Sequence, residues 1–355
     1  MKYLIALIST IICTAFTSTT VHSPPKNIAQ PFDVNFLPHS KLLSGEPDTS
    51  FYQFAFMVNN KYMVISSSPD STWAKGAPYA PVRDENGIYS SITNITTESL
   101  PAIYSRLLNK KINICSSNGK TYKATIRAFK LLAAFTPHFS QVQQWQGAEG
   151  PALTDKQKAL DIHRSGALYL VAEFTLDTPE KNAGDFYFAV PFNKRAPVLF
   201  SASSKDLTSI YQKSIYGPLS KTKDYITIQK EYIANTGNKK NNWWKDTEGS
   251  ESFISFHIND RRDYVAVSHV AGNPCSEGFY AEKFSIWKLE KNTAPALLYI
   301  SESNYSYVYA TDIDGDIIPE FLVTDIYGHH YLLKNCNGKW EACFSWAPPF
   351  SDCPC

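Results

Sequence analysis

The chain has 355 residues, 43% of them hydrophobic and 14% aromatic, with 34 Lys and Arg against 33 Asp and Glu. That is enough apolar material for one large domain or two ordinary ones, and it excludes a disordered chain. Lys2 is the only formally charged residue before Pro24, so the remainder is balanced, which excludes the basic footprint of a nucleic-acid binder or of a protein drawn to an anionic membrane surface.

The first 23 residues, MKYLIALISTIICTAFTSTTVHS, join one Lys, an apolar run to about Phe16 and a small polar tail. This is the three-part pattern of a secretory signal peptide, and the run is too short for a membrane span. The expectation is a secreted or periplasmic protein with no membrane span. Residues 24–48 hold five prolines and no sustained period, an extended lead-in. From Phe51 the pattern is strand-like. FYQFAFMV and KYMVISS flank Asn59-Asn60, and KINIC and TYKATIRAF flank Asn118-Gly119, both hairpin signals. ALYLVAEFTL, DFYFAVPF, DYITIQKEYI, SFISFHI and DYVAVSHV add strands rich in Tyr, Phe, Val and Ile.

Three helices interrupt them. TTESLPAIYSRLLNKK places Leu100, Ile103, Tyr104, Leu107 and Leu108 on one face with Pro101 in the first turn. TDKQKALDIHRSG runs from a Thr154 or Asp155 cap to Gly166, and SSKDLTSIYQKSIYG gathers Leu207, Ile210, Tyr211 and Ile215 before stopping at Gly217. The polar stretch from Asn235 to Ser252 divides a β-rich α+β region, residues 49–240, from an all-β region, residues 250–355. The fold class expected is mainly β, antiparallel, with strands outnumbering helices about three to one.

Export makes disulfides the default for the six cysteines that follow Cys13: Cys115, Cys275, Cys336, Cys343, Cys353 and Cys355. A zinc site from the last four, near His329 and His330, lacks paired C-x2-C knuckles. If Asn337-Gly338 makes a two-residue turn, Cys336 faces Lys339, Lys334 faces Glu341 and Leu332 faces Cys343. The two cysteines then lie two cross-strand pairs apart, beyond bonding reach. The expected bridges join Cys353 and Cys355 to Cys336 and Cys343, and Cys115 to Cys275.

The densest chemical signal is YVYATDIDGDIIPEFLVTD, residues 307–325. Asp312, Asp314, Asp316 and Glu320 occupy positions 1, 3, 5 and 9 of one loop, with the Ile318 carbonyl at position 7. Several hard oxygen donors on a curved loop suit Ca2+. Position 12 is Val323 and the flanks read as antiparallel strands, so this is not an EF-hand. Asp312, Asp314, Gly315, Asp316, Pro319 and Glu320 between strands resemble the calcium loop of FG-GAP and VCBS-type repeats, found in integrin-like propellers and many secreted bacterial proteins. Ile317 stands where those loops commonly carry Gly. The resemblance covers about 25 residues and implies a bound Ca2+.

Elsewhere Trp145 and Trp243-Trp244 lie in polar surroundings where an indole could stack on a sugar, against the commoner half-buried reading. His163, His257 and His269 could be general bases, but no nucleophile elbow or HExxH accompanies them. The reading is an exported calcium-binding protein with a non-enzymatic binding or structural role in the cell envelope and an unidentified protein or glycan partner. The alternative is a secreted carbohydrate-binding or polysaccharide-acting enzyme.

Overall fold

The computed structural model describes residues 55–349, apart from 68, 84–86, 181–182, 193–195, 204, 246–248, 260–261, 273–277, 303–304, 326 and 337. The leader and lead-in, Cys275, Cys353 and Cys355 lie outside the described residues. β1 (Ala55–Val58) and β2 (Tyr62–Ser66) flank Asn59 and Asn60, both at positive φ (53° and 51°), as a tight hairpin requires. β3 (Ala74–Arg83) and β4 (Tyr89–Ile95) pair next. A single-turn helix, α1 (Ala102–Ser105), leads to β5 (Lys111–Ser116) and the long β6 (Thr121–Phe135), which turn at Gly119 (φ 77°). α2 (Phe139–Trp145) and α3 (Asp155–Ser165) precede β7 (Ala167–Leu176) and β8 (Phe186–Pro191). Pairing runs β6-β5-β8-β1-β2-β7, and β7 returns to β6. Six antiparallel strands thus close into a barrel, which removes their open edges, and β3-β4 continue outward from β6.

β9 (Val198–Phe200) is followed by α4 (Lys205–Leu219) and α5 (Lys223–Thr236). Two antiparallel meanders complete the fold: β10 (Ser250–Asn259), β11 (Arg262–Gly272), β12 (Tyr280–Glu290) and β13 (Ala296–Ser301), then β14 (Tyr305–Asp312), β15 (Glu320–Asp325), β16 (His330–Cys336) and β17 (Lys339–Trp346). β9 pairs with the free side of β14 and makes the second sheet five-stranded. Period-two alternation splits each central strand between two cores. On β11, Tyr264 and Ala266 face the inter-sheet core with Phe321 and Val323, while Val265 and Val267 join Ile215, Tyr225 and Tyr232 of the helices. On β15, Leu322 turns the other way, into the barrel's core with Leu332 and Trp346. The layers therefore run helices, four-stranded sheet, five-stranded sheet, barrel. Among the described residues no helix is long and apolar enough to cross a membrane.

The β-rich, antiparallel expectation holds, with seventeen strands and five α-helices among the described residues, but several elements depart from the sequence reading. DYITIQKEYI is not a strand; it lies in α5, where Tyr225, Ile228 and Tyr232 are buried at helical spacing and Gly237 ends the helix at φ 69°. Its β-branched residues suggested a strand, and the buried face decided otherwise. α4 runs through Gly217 and Pro218 to Leu219, burying Ile215 and Leu219 and leaving Ile210 57% exposed. The helix expected around Pro101 is broken into a 3-10 turn, Thr97–Ser99, and α1. Only α3 matches closely, with Thr154 and Gln157 forming a reciprocal cap.

The disulfide expectation is overturned. Cys336 pairs with Lys339 and Lys334 with Glu341 as expected, but Leu333 then pairs with Ala342 and Leu332 with Phe344. Cys343 is the extra residue of a β-bulge, which tips it toward Cys336, and the two are bonded at a Cα separation of 7.1 Å, just past the usual span of about 4.4–6.8 Å. Cys115 is not bridged to Cys275; it is a buried free thiol against Thr121, and burial pushes its pKa up to about 12. Peptide mapping without reductant should find the Cys336–Cys343 crosslink, and Cys115 should resist alkylation until denaturant is added. Rapid labelling of Cys115 in the native protein would contradict this packing.

His330 lies at the junction of barrel and sheet, its ring stacked on Phe56 (centroids 6.0 Å) and Trp346 (5.7 Å), with Nδ1 2.9 Å from Thr324 Oγ1. Burial pushes its pKa down from 6.5 to about 4, against an upward pull from Asp325. The unfolded chain then binds more protons in that window, so the contribution is present above pH 6.5 and lost as pH falls toward 4. His330 should add a slope of at most about 1.4 kcal/mol per pH unit. Urea titrations across the window should show a shallower slope in His330→Gln; the same slope in both proteins would contradict the assignment.

Candidate functional site

β14 ends at Asp312 and β15 begins at Glu320, with Thr311 paired to Glu320 across the antiparallel ladder. The pairing brings the first and last carboxylates of the loop together. One carboxylate oxygen each from Asp312, Asp314 and Glu320 lies within 4.8 Å of the others. Asp312 and Glu320 are buried and Asp314 is exposed. Each also organises the backbone: Asp312 Oδ1 accepts from Gly315 N at 2.7 Å, Asp314 Oδ1 from Asp316 N at 3.3 Å, and Glu320 Oε2 from Ile313 N at 2.8 Å. Asp316 is outside the converging trio; its Oδ1 accepts the N–H of the half-buried Ile318 at 2.7 Å. The three aspartate contacts are Asx-type, the glutamate closes the loop from its far end, and of the second oxygens those of Asp314 and Glu320 face Lys334.

Burial pushes Glu320 up to about 7, helped by Asp314 and Asp316 and opposed by the Ile313 N–H and by Lys334. Asp316 is also raised, first by burial and then by its acidic neighbours. Lys334 stands one step along the ladder from the Phe321–Leu333 pair, and its Nζ lies 3.5 Å from Asp314 Oδ2 and 3.7 Å from Glu320 Oε1. A cation already borders the acids from one side. The donors are all hard oxygens, which fits Ca2+ better than softer metals.

Ile317 takes φ 67°, the left-handed conformation that costs a non-glycine residue about 1–2 kcal/mol, and it is 54% exposed. The branched Ile317 side chain is thus carried on a strained backbone. Ile317→Gly should stabilise the folded protein by about 1 kcal/mol in urea denaturation. A loss of stability would show that Ile317 is held by contacts and not strained.

The tryptophans are not sugar platforms. Trp145 is 3% exposed and donates to Asp161 at 2.6 Å, while Trp243 and Trp244 are 0% and 5% exposed under the helices. Of the three histidines, His163 is half-buried and its pKa is lowered by burial, and His257 lies on the surface 2.7 Å from Asp263. His269 is fully buried in a relay that sequence reasoning missed. Its Nδ1 lies 2.7 Å from Tyr225 Oη and its Nε2 2.8 Å from Glu251 Oε1, which also accepts from Tyr216 at 2.5 Å. Burial of Glu251 works to raise its pKa, but the His269 and Tyr216 hydrogen bonds outweigh it and hold the carboxyl below its ordinary value. Glu251 opens on a groove of about 540 Å3 that also exposes Gln212, Lys213 and Lys245. Tyr225, His269, Glu251 and Tyr216 hydrogen-bond one another in series, as in a polar latch holding α4 and α5 to the sheet.

No protein-family model matches the chain, and no curated protein or solved structure matches it either. The likeness to FG-GAP and VCBS-type loops rests on Asp312 to Glu320 and their two flanking strands.

Proposed function

We propose that this is an exported calcium-binding β-rich protein whose role in the cell envelope is binding or structural and not enzymatic. The observation that carries the reading is the convergence of Asp312, Asp314 and Glu320 within 4.8 Å at the mouth of a strand–loop–strand hairpin. Three acids this close repel one another, and a divalent cation turns that repulsion into loop order. The elevated Glu320 pKa has the same origin, burial beside like charge. Export is supported by the leader pattern of residues 1–23. Burial of Trp145, Trp243 and Trp244 removes the stacking surface on which the polysaccharide reading depended.

Calcium binds only the folded loop, so at about a hundred times Kd it adds roughly 2.7 kcal/mol, a melting shift of a few degrees in a chain of this size. With Lys334 beside the site, a weak constant near about 10⁻⁴ M is expected, sufficient outside the cell. Calorimetry in EDTA and in millimolar calcium should show the shift in the parent, its loss in Asp314→Asn, and a larger increment in Lys334→Ala, where the competing ammonium is gone. Equal melting temperatures in both buffers for the parent would leave the loop an acidic turn without a metal.

A further inference from the structure

β6 changes neighbours along its length. It pairs with β5 up to Thr125 and with β4 from Lys130 onward, and between these pairings Ile126 exchanges backbone hydrogen bonds with Asn109 and Lys110, just after α1. Within this interval the ladder to β7 slips: Ile126 pairs with Phe174 and Ala128 with Glu173, so Arg127 is the extra residue of a bulge. Bulges re-aim side chains, and here the change of partner opens a cavity of about 380 Å3, inside the range of small-molecule sites of about 300–1,000 Å3.

The cavity is amphipathic. Leu100, Leu108 and Phe129 form its apolar wall, Leu100 and Phe129 belonging to the barrel's core and Leu108 packing against it. Lys75, Arg127 and Lys130 supply three cations, and no carboxylate lines it among the described residues. Lys130 is steered by Asn94, whose Oδ1 accepts from its Nζ at 2.5 Å and from Tyr79 at 3.1 Å. None of the three cations makes an ion pair among the described residues, although Asp177 exerts a Coulombic pull with Arg127. The acids of the adjoining strand are engaged elsewhere: Glu173 with Lys61 at 2.9 Å, and Asp177 with Lys111 at 2.8 Å and Thr125 at 2.7 Å. In a chain of balanced charge, three uncompensated cations over an apolar wall are complementary to one kind of ligand.

We propose that this cavity binds a single-chain amphipathic anion, its carboxylate facing Lys75, Arg127 and Lys130 and its alkyl chain lying on Leu100, Leu108 and Phe129. The assignment is independent of the calcium loop. Isothermal titration of the purified protein with octanoate, octan-1-ol and acetate separates the two requirements. Octanoate should bind one to one, and octanol and acetate should each bind at least about tenfold more weakly. Lys75→Gln with Arg127→Gln should weaken octanoate at least about tenfold and reduce its salt dependence to that of Lys130 alone, leaving the near-ultraviolet dichroism unchanged because both side chains are exposed. Leu108→Asn should weaken octanoate without altering acetate. Absent octanoate binding, octanol binding as tightly as octanoate, acetate binding as tightly as octanoate, or unchanged affinity in the double variant would each overturn the proposal.

Discussion

The five-stranded sheet is apolar on both faces, and the rest of the molecule depends on burying both. Phe321, Val323 and Leu333 need the four-stranded sheet, and Leu322, Leu332 and Trp346 need the barrel. A strand's side chains alternate, so a slip of one residue in β15 would exchange these sets and present each to the wrong neighbour. The register of β14 and β15 is thereby held from two sides, and with it the pairing of Thr311 with Glu320. The acidic loop inherits its geometry from that constraint. Its aspartates need little beyond their own turns to complete the approach.

Electrostatics at the loop and at the helices follow opposite solutions to one problem. In the relay, Glu251 stands at the rim of the groove but receives hydrogen bonds from His269 and Tyr216, so its carboxylate is stabilised from within. Glu320 is more deeply buried and has one backbone N–H, distant help from Lys334 and acidic neighbours, so its carboxylate is not. The first is a closed network and suits a structural latch. The second is left short of positive charge, which is the condition under which a cation has most to contribute.

The barrel meets a different demand. Closure pairs six strands without an edge, but a strand as long as β6 must serve β5, β4 and β7, whose registers do not agree along its whole length. The mismatch is absorbed at Arg127, where the ladder admits one extra residue. Lys75 and Lys130 arrive at the same place from the pairing of β3, β4 and β6. Three cations scattered over 56 positions of sequence thus meet over one apolar wall.

Local chemistry was legible in the sequence. Asn59-Asn60 and Asn118-Gly119 demanded turns because few other residues take left-handed backbone, a cap at Thr154 or Asp155 announced the start of α3, and the spacing of Asp312, Asp314, Asp316 and Glu320 placed four acids on one loop, three of which converge. What depended on partners far along the chain was not. The helical state of α5 came from packing Tyr225, Ile228 and Tyr232 against the four-stranded sheet, which overrode its β-branched composition. The bulge that joins Cys343 to Cys336, the burial of Trp243 and Trp244, and the meeting of Tyr225, His269 and Glu251 likewise arise from contacts between elements. A sequence states which backbone conformations and side-chain chemistries are available at each position; which faces are covered, and by what, is decided only when the layers close on one another.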